Sequence, residues 1–154
     1  MDRHANVAGC RQVIDGVREL FSLDRAERAL VLVRSIVADA SAMYCHLLQT
    51  QRMLEKLQRC GSVEEIQRLQ EEMGVSVSRL EEHMSELAAV GAELRDLDRG
   101  EADFPAFVGG RIVHLCWRLG EERISHWHEP DGDFMQRRPI AELIGVSRVA
   151  PAGA

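Results

Sequence analysis

Residues 23–60 contain no proline and no glycine, and that 38-residue run constrains the fold more than anything else in the chain. Within it apolar side chains recur at Ala26, Leu30, Val33, Val37, Ala40, Tyr44, Leu47 and Leu54, the spacing of one helix face. A second stripe, Ala29, Leu32, Ile36 and Met43, accompanies only the first half. The first half should therefore be buried on a broad face and the second half on a narrow seam. At 1.5 Å per residue such a helix is roughly 55 Å long. Ser22 is placed to cap its start, with Asp24 in the first turn, where negative charge is favoured.

The run breaks at Cys60-Gly61-Ser62. Gly61 is expected to supply a left-handed helix stop. Ser62 and Glu65 form a capping box, in which each side chain meets the other residue's backbone N–H. A second helix follows with Ile66, Leu69, Met73, Leu80, Leu87 and Leu94 on one side and Gly91 near its end. A connection of two or three residues forces the two helices into an antiparallel hairpin. Charge agrees with that pairing. Residues 63–93 hold eight glutamates against Arg68 and Arg79, whereas residues 23–59 hold six basic and four acidic residues.

Beyond Gly91 the period falls from 3.6 to 2. Segments 94–96, 102–104, 112–118 and 123–128 read as strands, separated by turns at Asp98-Arg99-Gly100, Gly109-Gly110 and Gly120-Glu121. The expected fold class is α+β: a long antiparallel helical hairpin followed by a small antiparallel β-meander packed on its base. Residues 1–17 are expected to be a flexible extension, 18–145 a single domain and 146–154 a disordered tail.

Rare residue types crowd into residues 103–140. Both tryptophans, three of six histidines, one of four cysteines and three of four phenylalanines lie there. Two constellations are candidates. His114, Cys116, His126 and His128 are ligand types for zinc or copper, but they share a sheet face only if the loop around Gly120 is odd-numbered. An even loop, the commoner kind, sets Cys116 opposite Ser125 and parts the histidine pairs; it is the expected case. Asp103, Arg118, Glu121, Trp127, His128, Glu129 and Arg138 form a second, ligand-binding set, in which a histidine sits among carboxylates and arginines can grip an anion. Its alternative is a set of salt bridges that ties down the C-terminal loop. No nucleophile signature or phosphate loop occurs, and the sequence requires no cofactor.

The string "DFPAFVGGRIVHLCWRLGEERISHWHEPDGDFMQRRPI" resembles the C-terminal signature of the prokaryotic domain of unknown function 2203 family. That family's pattern is Asp-Phe-Pro, a glycine turn, Leu-Cys-Trp-x-x-Gly-Glu, Trp-His-Glu and Arg-Pro. Upstream, "FSLDRAERAL" is similar to its helix start and "GAELRDLDRGEADFP" to its helix-to-sheet connection. The resemblance covers about residues 20–140 and implies the fold; it implies no activity. The chain departs from the pattern in its longer N-terminal extension and in Arg25, where an acidic residue is usual.

A net charge of −6 argues against nucleic acid as a partner. No apolar run approaches the ~20 residues of a membrane span, and the charged N-terminus is unlike a signal peptide, so a cytoplasmic location with no membrane partner is expected. Four scattered cysteines suit reduced thiols. Leu47, Leu48, Met53, Leu54, Leu57, Val63, Ile66 and Leu69 exceed what one seam needs, which favours self-association into a homodimer through the hairpin. The favoured expectation is a self-associating interaction or scaffold module, with a metal- or small-ligand-binding protein, conceivably an enzyme, as the alternative.

Overall fold

The structure, a computed structural model, describes residues 13–14 and 18–145. Two short strands, β1 (Val13–Ile14) and β2 (Arg18–Glu19), pair antiparallel ahead of the first helix. The rest of the expected flexible extension and the expected C-terminal tail lie outside the described residues. Helix α1 (Leu23–Cys60) starts on Ser22, whose hydroxyl accepts from Arg25 N. Helix α2 (Val63–Val90) starts on Ser62, and both bonds of the Ser62–Glu65 capping box form. It ends at Gly91, which is left-handed (φ 96°) and closes the helix with its N–H on Ala88 O.

Gly61 differs from expectation. Its backbone is extended (φ −86°), so handedness does not explain the glycine. Space does: a Cβ there would lie 2.8 Å from Leu57 O and 2.9 Å from Leu57 Cβ. The two helices pack along each other as the hairpin requires. Among the described residues no ion pair joins them, so their opposite charge biases act, at most, as a diffuse field.

Five strands form one antiparallel meander in the order β3-β4-β5-β6-β7. They are β3 (Glu93–Asp96), β4 (Glu101–Val108), β5 (Arg111–Arg118), β6 (His126–His128) and β7 (Arg138–Pro139). A short helix α3 (Ile140–Gly145) follows. Where β3 ends, Phe21 takes its place beside β4, with Phe21 N on Pro105 O and Phe107 N on Phe21 O. The fold is α+β, as the change of period implies.

Alternation along the strands sorts the sheet into two faces. Ala102, Phe104, Ala106, Val113, Leu115, Trp117 and Trp127 form one face and pack with Leu30, Val33, Ile36 and Val37 of α1 into a single core. Burial on α1 is concentrated in its first half, as the double stripe implies, although Leu32 is 54% exposed. This helix also holds an 18-residue window of mean hydropathy 1.3, long and apolar enough by composition to cross a membrane, although charged residues interrupt its apolar runs.

Candidate functional site

The face of the sheet turned away from α1 carries the chemistry. The residues Glu101 and Asp103 of β4, His114, Cys116 and Arg118 of β5, and His126 and His128 of β6 share its parity. This corrects the expected register. Cys116 pairs with His126 and His114 with His128, so the histidines fall on one face. The connection between β5 and β6 has seven residues, an odd number, because it does not turn tightly. It is drawn down onto α1: Ile124 N donates to Glu27 Oε1 (2.8 Å), and Arg34 donates to Glu122 O (2.6 Å). Trp117 Nε1 holds its near end through Glu121 O.

Asp103 is the centre of that face. It is fully buried, and its Oδ2 accepts from Arg95 Nε (2.7 Å) while facing His128 Nε2 (2.9 Å) and His114 Nδ1 (3.3 Å). Its Oδ1 is buried with no partner. Asp103, His114 and His128 come from three adjacent strands, and their donor atoms lie within 4.8 Å of one another. Arg95 reaches them by alternation, two residues after Glu93, which pairs with Asp103. Just beyond it β3 is irregular: two steps on β3, from Leu94 to Asp96, match one step on β4, and this brings Asp96 to the same face.

The tautomer of His128 is fixed by its surroundings. Nδ1 lies 2.7 Å from Glu129 O, an acceptor only, so Nδ1 carries a proton. Nε2 then meets Asp103 with either a second proton or a lone pair. Burial disfavours a charged ring, but hydrogen bonds to Asp103 and to the Glu129 carbonyl outweigh it and raise the pKa above the usual value. Asp103 answers in the opposite sense. Burial alone would raise its pKa; hydrogen bonds from His114 and His128, the His128 charge and Arg95 hold it well below the ordinary carboxyl range. Both ring nitrogens of His128 are engaged, which leaves none to exchange a proton with a substrate.

Around this centre, Arg118 donates through Nε and Nη2 to Glu101, and Arg137 to Glu121 Oε1 (2.6 Å). Both guanidinium groups stack on Phe134, at 4.3 and 4.2 Å from the ring centre. Phe134 belongs to a 3-10 turn (Phe134–Gln136) capped by Asp133. Between turn and sheet lies a pocket of about 280 Å³ lined by Arg95, Arg99, Asp103, His128, Gly132 and Phe134, among others.

The candidate residues are therefore brought together only in part. Asp103, His114 and His128 converge. Cys116 sits beside Asp103 in register but outside the convergent donor group, and burial, then the Asp103 charge, pushes its thiol up to about 12. His126 meets Ser125 Oγ (2.9 Å). Glu129 pairs with Arg111. Trp127 and Arg138 lie on the opposite face as a register pair, Arg138 over the Trp127 ring at 5.7 Å. Sequence reasoning missed Arg95 and Arg137. For Arg137 the signal was parity, since of two adjacent arginines only one can face Glu121.

Residues 19–140 match a family described as an uncharacterized conserved protein (DUF2203). The chain belongs to the DUF2203 family. Its matched region spans both helices and the strands that carry Asp103, His114 and His128, so the site lies wholly within the family domain. No curated protein and no solved structure matches the chain.

Proposed function

We propose that this DUF2203 protein binds a divalent transition-metal ion through Asp103, His114 and His128. One observation carries the reading: two imidazoles and one buried carboxylate converge from three strands, and the second oxygen of that carboxylate has no partner. A desolvated acceptor left unmet costs about 1–3 kcal/mol, more when charged, and a cation beside it removes that cost. His128 supports the same reading, because an Nδ1–H held by a backbone carbonyl is the usual outer support of a histidine that ligates through Nε2. Two nitrogens and one carboxylate suit Zn²⁺, Fe²⁺ or Mn²⁺ with positions left for other ligands. Protein purified without tag or chelator should hold, or take up on titration with zinc, one equivalent of metal. His128→Gln and His114→Ala should each lower the affinity about tenfold or more, since losing even an outer partner of a ligand costs about 10–100-fold. Failure of Zn²⁺, Fe²⁺ and Mn²⁺ alike to bind at micromolar concentration would overturn the proposal.

A second reading concerns the hairpin. Met53 (55% exposed), Val63 (75%) and Val75 (56%) leave apolar surface on both helices. The distal part of α1 carries Arg52, Lys56 and Arg59, and α2 carries seven glutamates. That charge complementarity favours a second copy of the chain as the occupant, with α2 of one laid on α1 of the other. Light scattering at micromolar concentration should give a dimer, and Met53→Glu with Val63→Glu a folded monomer; a monomeric wild type refutes it.

A further inference from the structure

Resting on the metal reading, we infer that the pocket over the site takes a small oxyanion, a carboxylate or phosphate, that bridges the bound metal and Arg99. The acids that line the pocket are already engaged. Glu101 is held by Arg118, Asp103 by Arg95 and the histidines, Asp96 accepts from Arg99 N, and Asp133 caps the 3-10 turn. Arg99 lines the same pocket, and its guanidinium makes no ion pair among the described residues. Asp96 and Asp133 are met only by backbone N–H groups and keep their charge, which offsets Arg99 in the metal-free cavity.

Metal entry supplies the positive charge that an oxyanion needs. Arg95 Nε occupies Asp103 Oδ2, and Arg95 Nη2 lies 3.1 Å from His114 Nδ1, so its guanidinium covers two of the three donor groups. A cation that takes Asp103 through both oxygens, and His114 through Nδ1 once that nitrogen has released its proton, expels Arg95 by competition for Oδ2 and Nδ1 and by like charge. Arg95 is 43% exposed and has solvent to move into, on the pocket side. The loaded site then presents a metal with open positions and two arginines, the fork geometry that recognises carboxylate and phosphate oxygens. A pocket of about 280 Å³ limits the ligand to a small molecule.

Calorimetric titration of oxalate and, separately, inorganic phosphate into zinc-loaded protein tests this, with zinc content read on the same samples. At least one of the two should bind, and the tighter one assigns the ligand to carboxylate or phosphate. Neither should bind metal-free protein with comparable affinity. Arg99→Gln should weaken oxyanion binding about tenfold or more, the loss expected for a charge-assisted contact, with zinc affinity and thermal melting unchanged, since the side chain holds nothing else. Zinc bound without any oxyanion, an oxyanion indifferent to Arg99→Gln, or an oxyanion that only strips the zinc overturns this inference and leaves the metal reading standing. Absence of zinc binding overturns both.

Discussion

Replacing Asp103 by Asn in metal-free protein isolates the buried ion pair at the centre of the sheet. Asn keeps the shape and one acceptor but removes the charge that Arg95, His128 and His114 converge on. Removing one partner of a buried pair costs about 3–5 kcal/mol. Arg95 is 43% exposed, so its share is screened by solvent; His128, 2% exposed, carries most of the loss. The expected destabilisation is therefore near the lower end, about 3 kcal/mol. At about 2–4 °C per kcal/mol for a chain of this size, the melting temperature should fall by ~6–12 °C. Its pH dependence follows from the two shifts. Asp103 is held below its usual 3.8, so its contribution is complete above that pH and is lost as the pH falls through the lower folded value. His128 is held above 6.5, so its contribution is complete below that pH and is lost as the pH rises through the higher folded value. Both describe one ion pair, counted once, and the gap between wild type and variant should be widest between roughly pH 4 and 6.5. Urea denaturation at pH 5, 7 and 9, with the slope m unchanged, measures it. A gap below 1 kcal/mol, or one independent of pH, would show that Asp103 is not charged and paired in the folded protein.

Arg95→Gln should tighten zinc binding, because it removes the cation that covers Asp103 Oδ2; weaker binding in a zinc titration would contradict competition at that oxygen. Trp127→Phe and Trp117→Phe should separate in denaturation experiments. Trp127 Nε1 is buried without a partner, whereas Trp117 Nε1 donates to Glu121 O, so the second substitution should cost about 1–3 kcal/mol more. Ser62→Ala should cost about 1 kcal/mol by losing the cap. Gly61→Ala should cost about 1–3 kcal/mol by pressing on Leu57, and equal stability of Gly61→Ala and wild type in urea would remove the steric explanation for that glycine.

The helices were legible because their signals are local. Ser22, Ser62 with Glu65, and Gly91 each act within a few residues, and the apolar stripes of α1 and α2 report their own burial. The meander was legible from the change of period, and His114 and His128 stood out as scarce types on strands. Their convergence was not legible. The register that joins His114 to His128 is imposed by Glu27 and Arg34, some ninety residues upstream, which fasten the connecting loop to α1. Loop-length preference alone pointed the other way. Arg95 was hidden for a related reason: its place beside Asp103 depends on the β3–β4 register, which pairs Glu93 with Asp103 and which the sequence does not announce. Asp103 was grouped with His128 in the ligand-binding set, but alternation without register could not bring His114 to them.

Trp127 lies between His126 and His128 in the chain and points to the other side of the sheet. Any tilt of β6 that repositions the His128 ring must therefore turn the indole within the core by the same backbone motion. In a Trp117→Phe background the protein carries a single tryptophan, one peptide unit from the site and sealed from solvent, so occupancy can be followed optically, with excitation selective for indole over Tyr44, without attaching a dye.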